Sequence, residues 1–275
     1  MLTKAQYSPI VPTIWSKEFY EELRPQLGIS ALISNDYEGE ISQLGDKVKV
    51  QQLLTPGRAQ ILTSDNEAYS TQIPTFANID LEVNKRAIYP VDVTDWAKYQ
   101  ANPKYQDEIR KIIAHEIARA LDQAILDEIA PGSSIGGQAA MSKALFAQAS
   151  RVLSLNNVPN DGRRIALIDE YYLEDLIQVN ELLSRDYATT GSAFLTGKLK
   201  DPIYGFQIYV TNLLDKENAY FFHPSFMQIA IQQGADYKEI DLEGNTNIVA
   251  MRVRGMNLFG LKQFDANRVY RVYNT

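Results

Sequence analysis

Between residues 109 and 125 an apolar side chain returns at every fourth position: Ile109, Ile113, Ile117, Leu121 and Ile125, with Ile112, Ala120 and Ala124 beside them. That period places them on one face of an α-helix. Asn102 suits the N-cap and Pro103 the first helical position, while Asp107 and Glu108 sit where the helix dipole favours acids. Pro131-Gly132 ends the run. The pattern predicts a helix over residues 103–129, roughly 40 Å long at ~1.5 Å per residue. Such a rod is long for a globular domain, and the other elements must be laid along it.

A second pattern precedes it. Asp46-Lys47-Val48-Lys49-Val50-Gln51 and Ile79-Asp80-Leu81-Glu82-Val83-Asn84 alternate apolar and polar residues. Each predicts a strand with one greasy face and one charged face. About 25 residues separate them, against the usual ~2–5 of a hairpin loop. The stretch 54–78 holds Pro56, Gly57 and Pro74 and is mostly polar. Residues 37–94 are therefore expected to form a long β-hairpin that reaches away from the body. Ahead of it, Pro9 and Pro12 keep the chain extended, and Ile14, Trp15, Phe19, Tyr20 and Leu23 recur at helical spacing. This arm is too short to bury its aromatics against itself. Either its own domain or a neighbouring subunit covers them.

After the long helix, elements alternate. A helix is expected over residues 139–155, a buried strand over 164–168, a helix over 170–179 and a glycine-bearing loop over 183–200. Strands follow at 206–210 and 226–231, and residues 248–274 read as β, with Gly255 and Gly260 as breaks. Neither end supplies enough strands alone, so both ends are expected to join one sheet around the long helix.

Composition removes whole classes of function. The chain has 275 residues, no cysteine and two histidines. Disulfides, thiolate metal sites, iron–sulfur clusters and a cysteine nucleophile are excluded, and a multi-histidine metal site nearly so. The net charge is −7, opposite in sign to what a tight grip on nucleic acid requires. The first residues lack the apolar core of a signal peptide, and no run approaches ~18 apolar residues, so neither secretion nor a membrane span is expected.

Candidate chemistry is thin. Gly132-Ser133-Ser134-Ile135-Gly136-Gly137 lacks the lysine of a phosphate-binding loop and leaves a helix rather than opening one, so it reads as loop punctuation. His115-Glu116 begins like a zinc-protease motif, but Arg119 stands where the second histidine belongs. His115 is expected to pack or pair with an acid, and His223 to be structural. No nucleophile elbow is present. Asp80 and Glu82 share a strand face, and Asp36, Glu38 and Glu40 could collect a cation; a solvated surface is the expectation for both groups. The expected set of catalytic, cofactor and metal residues is therefore empty. Sixteen tyrosines suit buried contacts between subunits.

The ordered set of pieces resembles tailed-phage major capsid proteins of the Hong Kong 97-like fold. It is carried by Ile14-Trp15-Ser16-Lys17-Glu18-Phe19-Tyr20-Glu21-Glu22-Leu23, Asp36-Tyr37-Glu38-Gly39-Glu40-Ile41, Gly45-Asp46-Lys47-Val48-Lys49-Val50, Val91-Asp92-Val93-Thr94-Asp95-Trp96 and Ala118-Arg119-Ala120-Leu121-Asp122-Gln123-Ala124-Ile125-Leu126. The resemblance implies an α+β fold: an N-terminal arm at 1–36 and an extended loop at 37–84. It also implies a peripheral domain from 85–131 and 246–275 around the spine helix, and an axial domain at 132–245. It further implies a non-enzymatic coat protein of the virion, assembled in the host cytoplasm. Its copies would gather as pentamers and hexamers into an icosahedral shell around double-stranded DNA.

Expected partners are copies of itself, a portal and, because the chain starts at Met1 without a scaffolding segment, a separate scaffolding protein. Packaged DNA would be contacted only weakly. Some relatives cross-link through a lysine in the extended loop, and Lys47 and Lys49 lie there without being assigned that chemistry. The alternatives are an encapsulin-like compartment, another virion protein such as a tail-tube or decoration subunit, or a small-oligomer enzyme using Asp80 and Glu82.

Overall fold

The computed structural model describes residues 28–36, 47–53, 59–63, 68–71, 73–94, 105–178, 204–241 and 250–274. Helix α1 is Tyr105–Glu128. Ile109, Ile113, Ile117, Leu121 and Ile125 are all buried along it, as their spacing requires, whereas Ala120 is exposed. Asn102 and Pro103 lie outside the described residues.

The first half of α1 packs on a three-stranded antiparallel sheet. Its strands are β3 (Lys85–Thr94), β9 (Ala250–Gln263) and β8 (Met227–Asp241), in that order. Both ends of the chain thus meet under the long helix, as expected. Gly255 and Gly260 do not break β9, which runs through both. They are points of close approach. A methyl on Gly255 would overlap the side chains of Ile113 and Ile117, and one on Gly260 would overlap the Glu82 carbonyl. Glycine lets helix and sheet touch, and seats the strand ending at Glu82 against β9.

The second sheet has five strands in the order β4-β10-β7-β5-β6. They are β4 (Ser133–Ile135), β5 (Arg164–Ile168), β6 (Phe206–Val210), β7 (Asn218–Phe222) and β10 (Val269–Tyr273). Helices α2 (Lys143–Leu155) and α3 (Glu170–Gln178) cover one face. There Phe221 meets Phe146 and Phe206 edge to face, with ring centres 5.0 and 5.1 Å apart. On the other face Ile165, Leu167, Tyr220 and Phe222 join the end of α1, Phe226, Ile229, Phe259 and Leu261 in one core. This core welds the two sheets together.

Strand β8 pairs with β9 beside α1, and β10 pairs with β4 and β7, so each sheet draws strands from both sides of residue 245. The strand expected at 226–231 begins only at Met227, after a 3-10 turn at Pro224–Phe226, and continues to Asp241. Strand β7 was not expected; it is buried on both faces and so carries no alternation. The loop expected over 183–200 lies outside the described residues.

The two alternating limbs pair. Strand β1 (Lys47–Leu53) runs antiparallel to β2 (Phe76–Glu82). Val48 faces Leu81 and Val50 faces Ile79 on one side. Lys47 faces Glu82 and Lys49 faces Asp80 on the other, so each cation stands opposite an acid. Leu81 is fully buried against Ala230, with Val48 and Val83 alongside.

Part of the expected arm belongs to the body. A 3-10 turn at Ile29–Leu32 buries Ile29 and Ile33 in the core at the end of α1, and Ser34 bridges Gln228. The helix-spaced stretch 14–23 lies outside the described residues.

Candidate assembly surfaces

The exposed surface is where this chain's chemistry lies. The connection from β1 to β2 carries Ile61 at 88%, Ile73 at 85% and Tyr69 at 74% exposure, and Phe76, the first residue of β2, is 63% exposed. Single exposed apolar residues are ordinary. Three large ones in one connection, with Phe76 at the start of β2 fifteen residues after Ile61, leave apolar area in water. Its polar cross-link is local: the Gln60 amide accepts from the Ser70 N–H at 3.0 Å.

The residues singled out as possible chemistry do not gather at one place among the described residues. His115 Nδ1 lies 3.5 Å from Glu116 Oε1. Asp80 and Glu82 sit on the charged face of β2 opposite lysines. Asp36 exchanges two hydrogen bonds with the Gln228 side chain; Glu38 and Glu40 lie outside the described residues. Of the glycine-rich stretch, Ser133–Ile135 is strand β4, which pairs in parallel with β10, and the Gly132 N–H donates to the Ala266 carbonyl at 2.8 Å. Loop punctuation is thus corrected to a short edge strand. Among the described residues no group of three or more acidic, histidine or cysteine side chains is gathered for a metal.

His223 holds the junction between the sheets. Its Nδ1 accepts from the Ser225 N–H and caps the 3-10 turn that leads into β8. Its Nε2 faces Asp161 at 3.4 Å. Burial pushes its pKa down, against the pull of Asp161. The Arg163 side chain and N–H, with a smaller contribution from His223, hold the Asp161 carboxyl far below its usual range.

Three further charges are buried. Asp122 is 1% exposed and accepts the N–H groups of Gly28, Ile29 and Ser30. Asp169 accepts from the N–H of Tyr172, at the start of α3, and of Glu217. Arg164 gathers the carbonyls of Ser150, Val158 and Pro159 and the hydroxyls of Ser150 and Ser154 around the end of α2. A cation there complements the negative end of the helix, and burial lowers its pKa. Only partners distant in sequence explain Asp122, and no motif marks it; Asp169 is the N-cap of α3, a local signal, and its bond to Glu217 is the distant one. These groups build and brace the body.

A family model described as phage capsid protein matches residues 77–275. The chain belongs to the phage capsid protein family. Its fold is shared with solved phage structures. A structure from Mycobacterium phage Che8 is similar at TM-score 0.80 and 22% identity, over 95% of this chain and 96% of that one. The capsid structure of the cyanophage P-SCSP1u is similar at TM-score 0.77 and 12% identity, over 98% and 94%. The mature capsid of bacteriophage PhiM1 is similar at 0.64 and 12%, over 95% and 92%. No curated protein matches the chain in sequence. The long helix on an antiparallel sheet, joined to a second sheet with its own helices, is the Hong Kong 97-like capsid fold. This capsid protein is a structural component of the virion.

Proposed function

We propose that copies of this major capsid protein close, as pentamers and hexamers, into an icosahedral head shell around double-stranded DNA. The observation that supports this reading is the β1–β2 connection, whose Ile61, Tyr69 and Ile73, with Phe76 at the start of β2, stand in water on one chain. In a shell each connection lies across a neighbouring copy and is covered there. Within a ring every further contact is intramolecular, so modest interfaces add up to a container that resists internal pressure. The charge of −7 supports weak contact with cargo, because a shell that bound DNA tightly would impede packaging and release. The role is mechanical rather than catalytic. A separate scaffolding protein and a portal complete the assembly, which takes place in the host cytoplasm.

Deleting residues 54–75 tests the reading. The variant is expected to keep the subunit's far-ultraviolet circular dichroism and its thermal midpoint, yet to sediment as small species where the full chain gives shells. Closed shells from the deleted chain would refute it.

A further inference from the structure

Sheet edges invite other strands, and folded proteins blunt them with charge, proline, bulges or brevity. Most described edges here are blunted. Strand β8 shows register shifts between Ile231 and Asp236 and carries Asp236, Lys238 and Glu239. Strand β3 holds Pro90, Arg86 and Asp92, and β4 is three residues long. Strands β1 and β2 alternate lysines and acids. Strand β6 has none of these devices. From Tyr204 to Thr211 there is no charged residue and no proline, and its register with β5 is unbroken from Phe206 to Val210.

The open side of β6 can be assigned atom by atom. The Thr211 N–H donates to the Ile168 carbonyl of β5 at 3.0 Å. Backbone groups alternate sides along a strand. Gln207, Tyr209 and Thr211 therefore bond β5, and Phe206, Ile208 and Val210 turn their N–H and C=O groups outward. Among the described residues no strand pairs there. The side chains of Gln207 and Tyr209 are exposed, but they do not cross this edge. The Gln207 amide donates to the Gly162 carbonyl, and the Tyr209 hydroxyl donates to Gln207.

We infer that the outer edge of β6 is an assembly edge, which pairs through Ile208 and Val210 with an extended segment of a second copy of this chain. This rests on the shell reading. Copies that each carry −7 repel one another, so they meet best at an uncharged patch, and this is one. An edge left unblunted in a protein that functions as a free monomer would be a hazard. In a chain that functions only as an array it is a joint.

Hydrogen–deuterium exchange on the full chain, unassembled and in shells, tests this. The Ile208 and Val210 amides are expected to exchange fast in the free subunit and about tenfold or more slower in shells, while Gln207, Tyr209 and Thr211 stay protected in both. Shells that form with Ile208 and Val210 still exchanging fast would overturn the inference and leave the shell reading intact. Protection of both amides already in the free subunit would overturn it too, because the chain would then be covering its own edge. Tyr209→Lys adds an edge charge on an exposed side chain. It is expected to keep the thermal midpoint and lose shell formation, and wild-type shell yield from it would also count against the inference.

Discussion

Ser30, in the turn that precedes the hairpin, donates its N–H to Oδ1 of Asp122 on α1 at 2.9 Å, while Gly28 and Ile29 reach Oδ2 at 2.8 and 3.3 Å. One buried carboxylate thus collects three backbone donors and fixes the point at which the N-terminal segment meets the body.

Asp122→Ala would leave those donors without their acceptor in a closed site, and is expected to cost about 2–3 kcal/mol. Asp122→Asn keeps one acceptor oxygen and should cost less. Urea unfolding of the unassembled subunit measures both. Equal stability of D122A and the parent would show that the clamp contributes nothing.

Gly255 marks the closest approach of β9 to α1. Gly255→Ala forces a methyl onto Ile113 and Ile117 and is expected to destabilise by about 1–3 kcal/mol. Combining it with Ile117→Val removes one of the overlapping methyls and should restore part of the loss. The thermal midpoints of the two single variants and the pair decide this; additive losses would rule out the steric explanation.

The pH dependence follows from His223. Its folded-state pKa lies below the ordinary 6.5, through burial first, opposed by Asp161 and aided by Arg163 and Arg268. The unfolded chain therefore takes up the proton first. Its stabilising contribution is complete above about pH 6.5 and declines as the pH falls toward the lowered folded value. A proton on Nδ1 would also face the Ser225 N–H that it now accepts. Asp161 stays ionised through this window, because its own contribution fades only below its ordinary 3.8. Chemical denaturation from pH 7.5 down to 5, by parent and by His223→Gln, is expected to show a decline in the parent that the variant flattens. A decline of the same size in both would assign the effect elsewhere.

Ile61 and Ile73, both more than four-fifths exposed, contribute almost nothing to the isolated fold. Ile61→Ser combined with Ile73→Ser should leave the unfolding free energy within about 0.5 kcal/mol of the parent and abolish or sharply reduce particle yield. Sedimentation and denaturation on the same preparation separate the two effects. Undiminished particles would remove these side chains from the contact.

What the sequence disclosed depended on periodicity. The stripe from Ile109 to Ile125 and the alternation at Val48, Val50, Ile79 and Leu81 were legible because each buries one face only. Strands β5 and β7 are buried on both faces, so their residues lose that rhythm; β5 stood out as an apolar run and β7 did not. Sheet membership was hidden for another reason. Whether Val269–Tyr273 joins β7 is decided by contacts dozens of residues apart. Gly255 and Gly260 looked like punctuation because a glycine needed for close approach carries the same letter as one needed for a turn. Asp122 gave no signal, since an acid that binds distant backbone N–H groups resembles any other acid on a helix, whereas Asp169 stood where an N-cap belongs and only its bond to Glu217 was hidden.

The central claim is that the exposed limb finds its cover on a neighbouring copy. Electron cryomicroscopy of particles formed by the full chain tests this most directly. Closed icosahedral shells are predicted, with Ile61, Tyr69, Ile73 and Phe76 buried against the adjacent subunit. Shells in which those four side chains remain in solvent, or a chain that stays monomeric with the limb folded onto its own body, would contradict it.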